Sequence, residues 1–166
     1  CSRYGAEYRQ TMRRVIDGDM QADPPDAETR LRRVLESFDE ALCDDVLETL
    51  ARNGTYLVPT HGTRELDARA ADPEYRDDPR WRLIEPGLRE RGEKDLDDMA
   101  TVAPQLGDLY QEFYDLGLRL TGRAHAAGVR ILAATDANDT MIFPGSGMHD
   151  ELDRLVSRTR GAVVTT

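Results

Sequence analysis

The sequence is poor in the residue types that most often announce a chemistry. Its 166 residues hold two cysteines, three histidines, one tryptophan and three phenylalanines. Cys1 and Cys43 are too few and too far apart for a zinc knuckle or a Cys-x-x-Cys redox motif. Cys43 falls on an apolar helical face, where a small buried thiol is the ordinary reading, and the redox compartment stays open. Basic residues are also scarce: 32 acidic residues oppose 22 basic ones, a formal charge of −10. That excess repels both nucleic-acid backbones and anionic membrane surfaces, so neither is an expected partner. No apolar run approaches the roughly 20 residues of a spanning helix. A P-loop, a dinucleotide fingerprint, a His-Glu-x-x-His pair and a serine nucleophile elbow are all missing. The start, Cys1-Ser2-Arg3-Tyr4, has neither an initiator methionine nor a signal-peptide pattern, and the chain is expected to belong to something longer.

What is present is one globular domain's worth of patterned sequence, 39 % hydrophobic and 33 % charged. Residues 3–17 have amphipathic helical spacing (Tyr4, Tyr8, Met12, Val15, Ile16), and Asp23-Pro24-Pro25-Asp26 ends that run. A second short helix is expected over about 27–35. Ser37-Phe38-Asp39-Glu40 has the order of a capping box with Ser37 at the cap. It opens a helix with Leu42, Cys43, Val46, Leu47 and Leu50 on one stripe, stopped at Asn53-Gly54. Residues 55–60 then read as a strand limited by Pro59. The same order returns at 104–127, a helix closed by Gly128, followed by a strand over 129–134. Two helix–glycine–strand units imply parallel pairing, with strands apolar enough to be buried on both faces. Two strands alone leave open edges, so further strands are required from elsewhere. Between the units, 61–103 reads as a long proline-punctuated βα loop. A last helix begins near Ser146, read as its cap, with Asp150 and Glu151 in its first turn.

Candidate chemistry gathers where the strands end. Asp136 closes the apolar run 131–135, the position at which parallel α/β barrels place catalytic carboxylates; Thr135-Asp136 is equally the start of an ordinary turn. His61 follows the first strand and is either a substrate or metal contact or an exposed loop histidine. Asn138 and His149, close to Asp136 in sequence, are weaker substrate-binding candidates. His125 suits a helix C-terminus electrostatically and is assigned no chemistry. Asp95, Asp97 and Asp98 lack calcium-loop spacing and read as a solvated face.

The ordered blocks Leu50–Thr60, Asp77-Asp78-Pro79-Arg80, His125-Ala126-Ala127-Gly128-Val129, Leu132-Ala133-Ala134-Thr135-Asp136-Ala137, Phe143-Pro144-Gly145 and His149-Asp150-Glu151-Leu152 resemble the amidohydrolase superfamily. Within it they resemble the imidazolonepropionase-like branch that includes metal-dependent dipeptidases. The resemblance covers about residues 37–156. It implies an α/β fold that is the carboxyl-terminal part of a (β/α)8 TIM barrel, with 1–36 following the sixth strand, 55–60 the seventh strand and 129–135 the eighth. It further implies one or two divalent metals, zinc in the usual case, and hydrolysis of a carbon–nitrogen bond in an amide-type small molecule. Of the family's metal ligands only the aspartate ending the eighth strand has a match, Asp136, which in the family binds metal and accepts a proton from the attacking water. The remaining ligands and barrel strands would lie outside this chain, which is therefore expected to be inactive by itself. The segment after Val156 departs from the family pattern. A non-catalytic α/β interaction module using exposed sheet edges is the alternative from a different class, and a split enzyme completed by another chain is a third.

Overall fold

A computed structural model describes residues 1–137 and 139–157. The first two helices, α1 (Tyr4–Ile16) and α2 (Ala27–Glu36), sit where the amphipathic spacing puts them. Next comes α3 (Glu40–Arg52), capped by Asp39, whose carboxylate accepts from Leu42 N–H at 2.9 Å. Ser37 is not that cap. It ends α2, and its hydroxyl is spent on Arg33 O and Ser2 Oγ.

The stop after α3 is a Schellman turn. Gly54, at φ 66°, donates to Ala51 O, and Thr55 N–H reaches back to Leu50 O. Strand β1 (Tyr56–Leu57) follows at once, ending before Pro59. An identical turn ends α6 (Pro86–Ala126): Gly128, at φ 86°, donates to His125 O and Val129 to Ala124 O, after which β2 (Arg130–Ile131) begins. The strands pair in parallel, Tyr56 opposite Arg130 and Leu57 opposite Ile131, and Leu132 N–H extends the ladder to Leu57 O. Helix, glycine, strand, repeated and paired in parallel, is the arrangement the spacing implies. The strands are not buried on both faces, however. Ile131 is buried, whereas Tyr56 is half exposed and Val58 and Leu132 are 43 % and 44 % exposed.

The stretch 61–103 is helical rather than a loop: α4 (His61–Arg69), α5 (Pro73–Arg76), a 3-10 helix (Pro79–Leu83), then the first half of the 41-residue α6. The prolines that read as loop punctuation stand in first turns, where a missing N–H costs nothing. Each follows a capping acid: Asp72 accepts from Glu74 N–H, Asp78 from Arg80 N–H and Glu85 from Leu88 N–H. Among the described residues no helix is long and apolar enough to cross a membrane.

Packing divides into two cores. Cys43, Leu47, Ala124, Val129, Ile131 and Leu155 fill the space under the strand pair, between α3, α6 and α7 (Ser146–Ser157). Leu66, Ala70, Trp81, Leu96, Met141 and Phe143 join the post-β1 helices to the loop after β2. Cys43 is buried, yet it is not a thiol: it is disulfide-bonded to Cys1. The chain start reaches it through an antiparallel bridge, with Arg3 N–H on Ser37 O and Asp39 N–H on Cys1 O.

Candidate functional site

Both strands deliver the chain to one side, and the backbone there is strained. Among the described residues three that are not glycine lie in the left-handed region, Thr60 (φ 47°) after β1 and Asp136 (55°) and Met141 (65°) after β2. Such conformations cost of order 1–3 kcal/mol each and concentrate where geometry serves function. The turn at Asp136 is held by Thr135, whose Oγ1 accepts from Ala137 N–H at 3.1 Å, and by Asp139 N–H on Asp136 O at 3.2 Å. Asp136 is exposed, and its carboxylate makes no hydrogen bond or ion pair with another described residue. The side chain that stabilises the turn is therefore Thr135, which leaves the Asp136 carboxylate available.

Asp139, three residues on from Asp136, and Asp67, near enough to Asp139 to feel its charge, are two further carboxylates that nothing in the sequence pattern singled out. Asp139 accepts from Thr140 N–H at 2.9 Å. Asp67, on α4, pairs with Arg64 at 2.7 Å; burial pushes its carboxyl up, Arg64 pulls it down, and the charge of Asp139 pushes it up again. A carboxyl raised by burial beside a second carboxylate is a recognised sign of acid–base use. The signal is tertiary, since Asp67 and Asp139 belong to segments after different strands.

Next to this turn, Asp139, Thr140 and Met141 form one wall of a cavity of about 200 Å³ whose other walls include Trp81, Leu88 and Phe143. Trp81 meets the Phe143 ring edge-on at 5.5 Å between centroids, and the Arg80 guanidinium lies over the same ring, 4.6 Å from its centroid. Arg80 also grips Asp78 through Nη2 (2.7 Å) and Asp150 through Nη1 (2.6 Å) and donates to Ser146 Oγ at 3.2 Å. Ser146 is thus the first residue of α7 and an acceptor for arginine, not a cap, while Asp150 is an ion-pair partner. A second concavity, about 360 Å³, is walled by Arg69, Arg80 and Arg154 among several carboxylates, and each of these arginines is already ion-paired.

His61 is neither an exposed loop residue nor a free contact. It is 4 % exposed, and its Nε2 shares a 3.0 Å hydrogen bond with Thr121 Oγ1. Burial and then the charge of Arg154 lower its pKa to about 4, so it is neutral at physiological pH. Its N–H donates to Glu151 Oε1 at 2.8 Å and that of Gly62 to Oε2 at 3.1 Å, so a carboxylate 90 residues away caps α4, whose own Thr60 offers no side-chain cap. Glu151 is 1 % exposed, and burial pushes its carboxyl up against the opposing pull of those two N–H groups and of Arg154. It is part of the fold's interior rather than a dipole partner at the start of α7. His149 is exposed on α7, and His125 is half-buried in the last turn of α6. Asn138 lies outside the described residues, as does the chain from 158 onward, where the departure from the family pattern falls.

A catalytic zinc takes three protein ligands and a water. Among the described residues no three histidine, cysteine, aspartate or glutamate side chains converge to hold a metal ion. These residues do not fit a zinc site by themselves. Compared with known proteins, the chain matches no protein-family model, no curated protein and no solved structure.

Proposed function

We propose that this chain is the carboxyl-terminal part of an amidohydrolase-type (β/α)8 barrel that hydrolyses a carbon–nitrogen bond of a small amide or cyclic amide. The observation that carries the reading is Asp136: an exposed carboxylate, uncommitted to any described neighbour, set by a left-handed turn at the carboxyl side of two parallel strands. Active sites of such barrels are built from strand ends on that face. The duplicated helix–glycine–strand unit and the half-exposed Tyr56, Val58 and Leu132 support it further, because two strands with uncovered apolar side chains call for neighbours. In this reading Asp136 takes the proton from the attacking water and returns it to the leaving nitrogen. Zinc, if it serves, would be held by Asp136 together with donors from the other strands.

The test is to express the full coding sequence that contains this chain, screen it against amides, cyclic amides and dipeptides with added zinc, and compare Asp136→Asn. The expected result is hydrolysis that falls at least a thousandfold in the variant. Full activity in Asp136→Asn overturns the assignment. The alternative, a non-catalytic interaction module, draws on the same exposed sheet edges. A cooperative, monomeric unfolding transition of the 166 residues alone would favour it.

A further inference from the structure

We infer that the cavity beside the Asp136 turn is a specificity pocket for one apolar side chain, aromatic or branched aliphatic, of the substrate. Its volume of about 200 Å³ lies below the roughly 300–1,000 Å³ that encloses a whole drug-sized ligand, and so suits a single side chain. The floor is fixed: Trp81, Met141, Ile142 and Phe143 are each buried, and the Trp81–Phe143 edge contact holds both rings. Room for the indole comes from Gly92, because a Cβ there would run into the Trp81 ring. The lip is polar on one side, where Thr140 Oγ1 donates to Asp95 at 2.7 Å, and apolar on the other, where Leu88 is 54 % exposed. Covering the apolar surface that still meets water here, Leu88 above all, with a matching side chain recovers about 25 cal/mol per Å².

The position says what the pocket discriminates. Asp139, in its wall, donates its N–H to Asp136 O, so a side chain seated here places the rest of its molecule beside that turn. That the seated molecule is an amide rests on the function proposed above; that the pocket takes an apolar side chain does not.

Trp81 forms part of the pocket floor, so a molecule seated there changes the surroundings of its ring. The full protein that contains this chain is titrated with N-acetyl-phenylalaninamide, N-acetyl-leucinamide and N-acetylglycinamide while binding is followed by calorimetry. Expected are saturable changes for the first two, with glycinamide more than tenfold weaker, and a further fivefold loss in Leu88→Asp, an exposed site that leaves the fold intact. Equal responses to all three ligands, or undiminished binding by Leu88→Asp, would overturn the inference. The readout needs no hydrolysis. Saturable binding together with an active Asp136→Asn enzyme would therefore refute the proposed function while leaving the pocket standing.

Discussion

Replacing Glu151 by glutamine is the sharpest test of how the face beyond the strands is held together. The native carboxylate is 1 % exposed and accepts from two backbone N–H groups, His61 at 2.8 Å and Gly62 at 3.1 Å. Glutamine keeps one acceptor oxygen and turns an NH2 toward the other N–H. One charge-assisted bond, about 1.5–3 kcal/mol, is then weakened, and one buried donor is orphaned at about 1–3 kcal/mol. Arg154 contributes little to the difference, because it lies 3.7 Å from Glu151 but keeps Glu65 at 2.5 Å. The expected loss is about 3 kcal/mol for Glu151→Gln and about 4 kcal/mol for Glu151→Ala, which removes both acceptors. With a urea slope near 2 kcal/mol per M, the midpoint of Glu151→Gln falls by about 1.5 M. Circular dichroism against urea measures this in the full protein that contains this chain, and amide exchange at His61 and Gly62 should rise in step. A glutamine variant within about 0.5 kcal/mol of the parent, the range of ordinary surface changes, would refute the reasoning.

Three further outcomes are expected. The His61 pKa is lowered from 6.5 to about 4, so the unfolded chain takes up its proton first and stability falls as pH drops through that window, by about 3 kcal/mol in total. Urea midpoints from pH 7 to 4 should lose that slope in His61→Gln; an unchanged difference between the two proteins would contradict it. Glu151, whose pKa is raised, acts in the opposite sense, so the comparison is made against the variant rather than on the parent alone. Reducing the Cys1–Cys43 bridge, which spans 42 residues, should cost about 4 kcal/mol by loop entropy, and an identical denaturation curve with and without reductant would count against the bridge. Gly92→Ala should destabilise by about 1–2 kcal/mol, the overpacking against Trp81 exceeding the helix-propensity gain; a stabilised variant would show that the ring yields.

The parts of the fold that could be read in advance are those written in adjacent residues. Asn53-Gly54 and Ala127-Gly128 each place a left-handed residue after a periodic apolar stripe, and that local device alone predicts two strands of the same direction. The 61–103 stretch misled because Asp-Pro and Glu-Pro mark both turns and capped helix starts, and the choice between them is made by packing of Leu66, Trp81 and Leu96 into a core no short window reveals. The same limit applies to the site. Asp136 could be found because a strand precedes it directly. The burial of His61 depends on Thr121 and Glu151, 60 and 90 residues away, and the approach of Asp67 to Asp139 depends on α4 meeting the loop after β2. The pairing of Cys1 with Cys43 likewise required the chain start to lie along Phe38.

Helix α6 belongs to both cores, with Leu96 in one and Ala124 in the other, and Pro104 lies inside it between them. Proline supplies no N–H, so the rod that couples the two halves of the molecule is weakest at its own midpoint. A bend at that point would change the angle between the two cores while each kept its own packing, the rings around Trp81 on one side and the strand pair on the other.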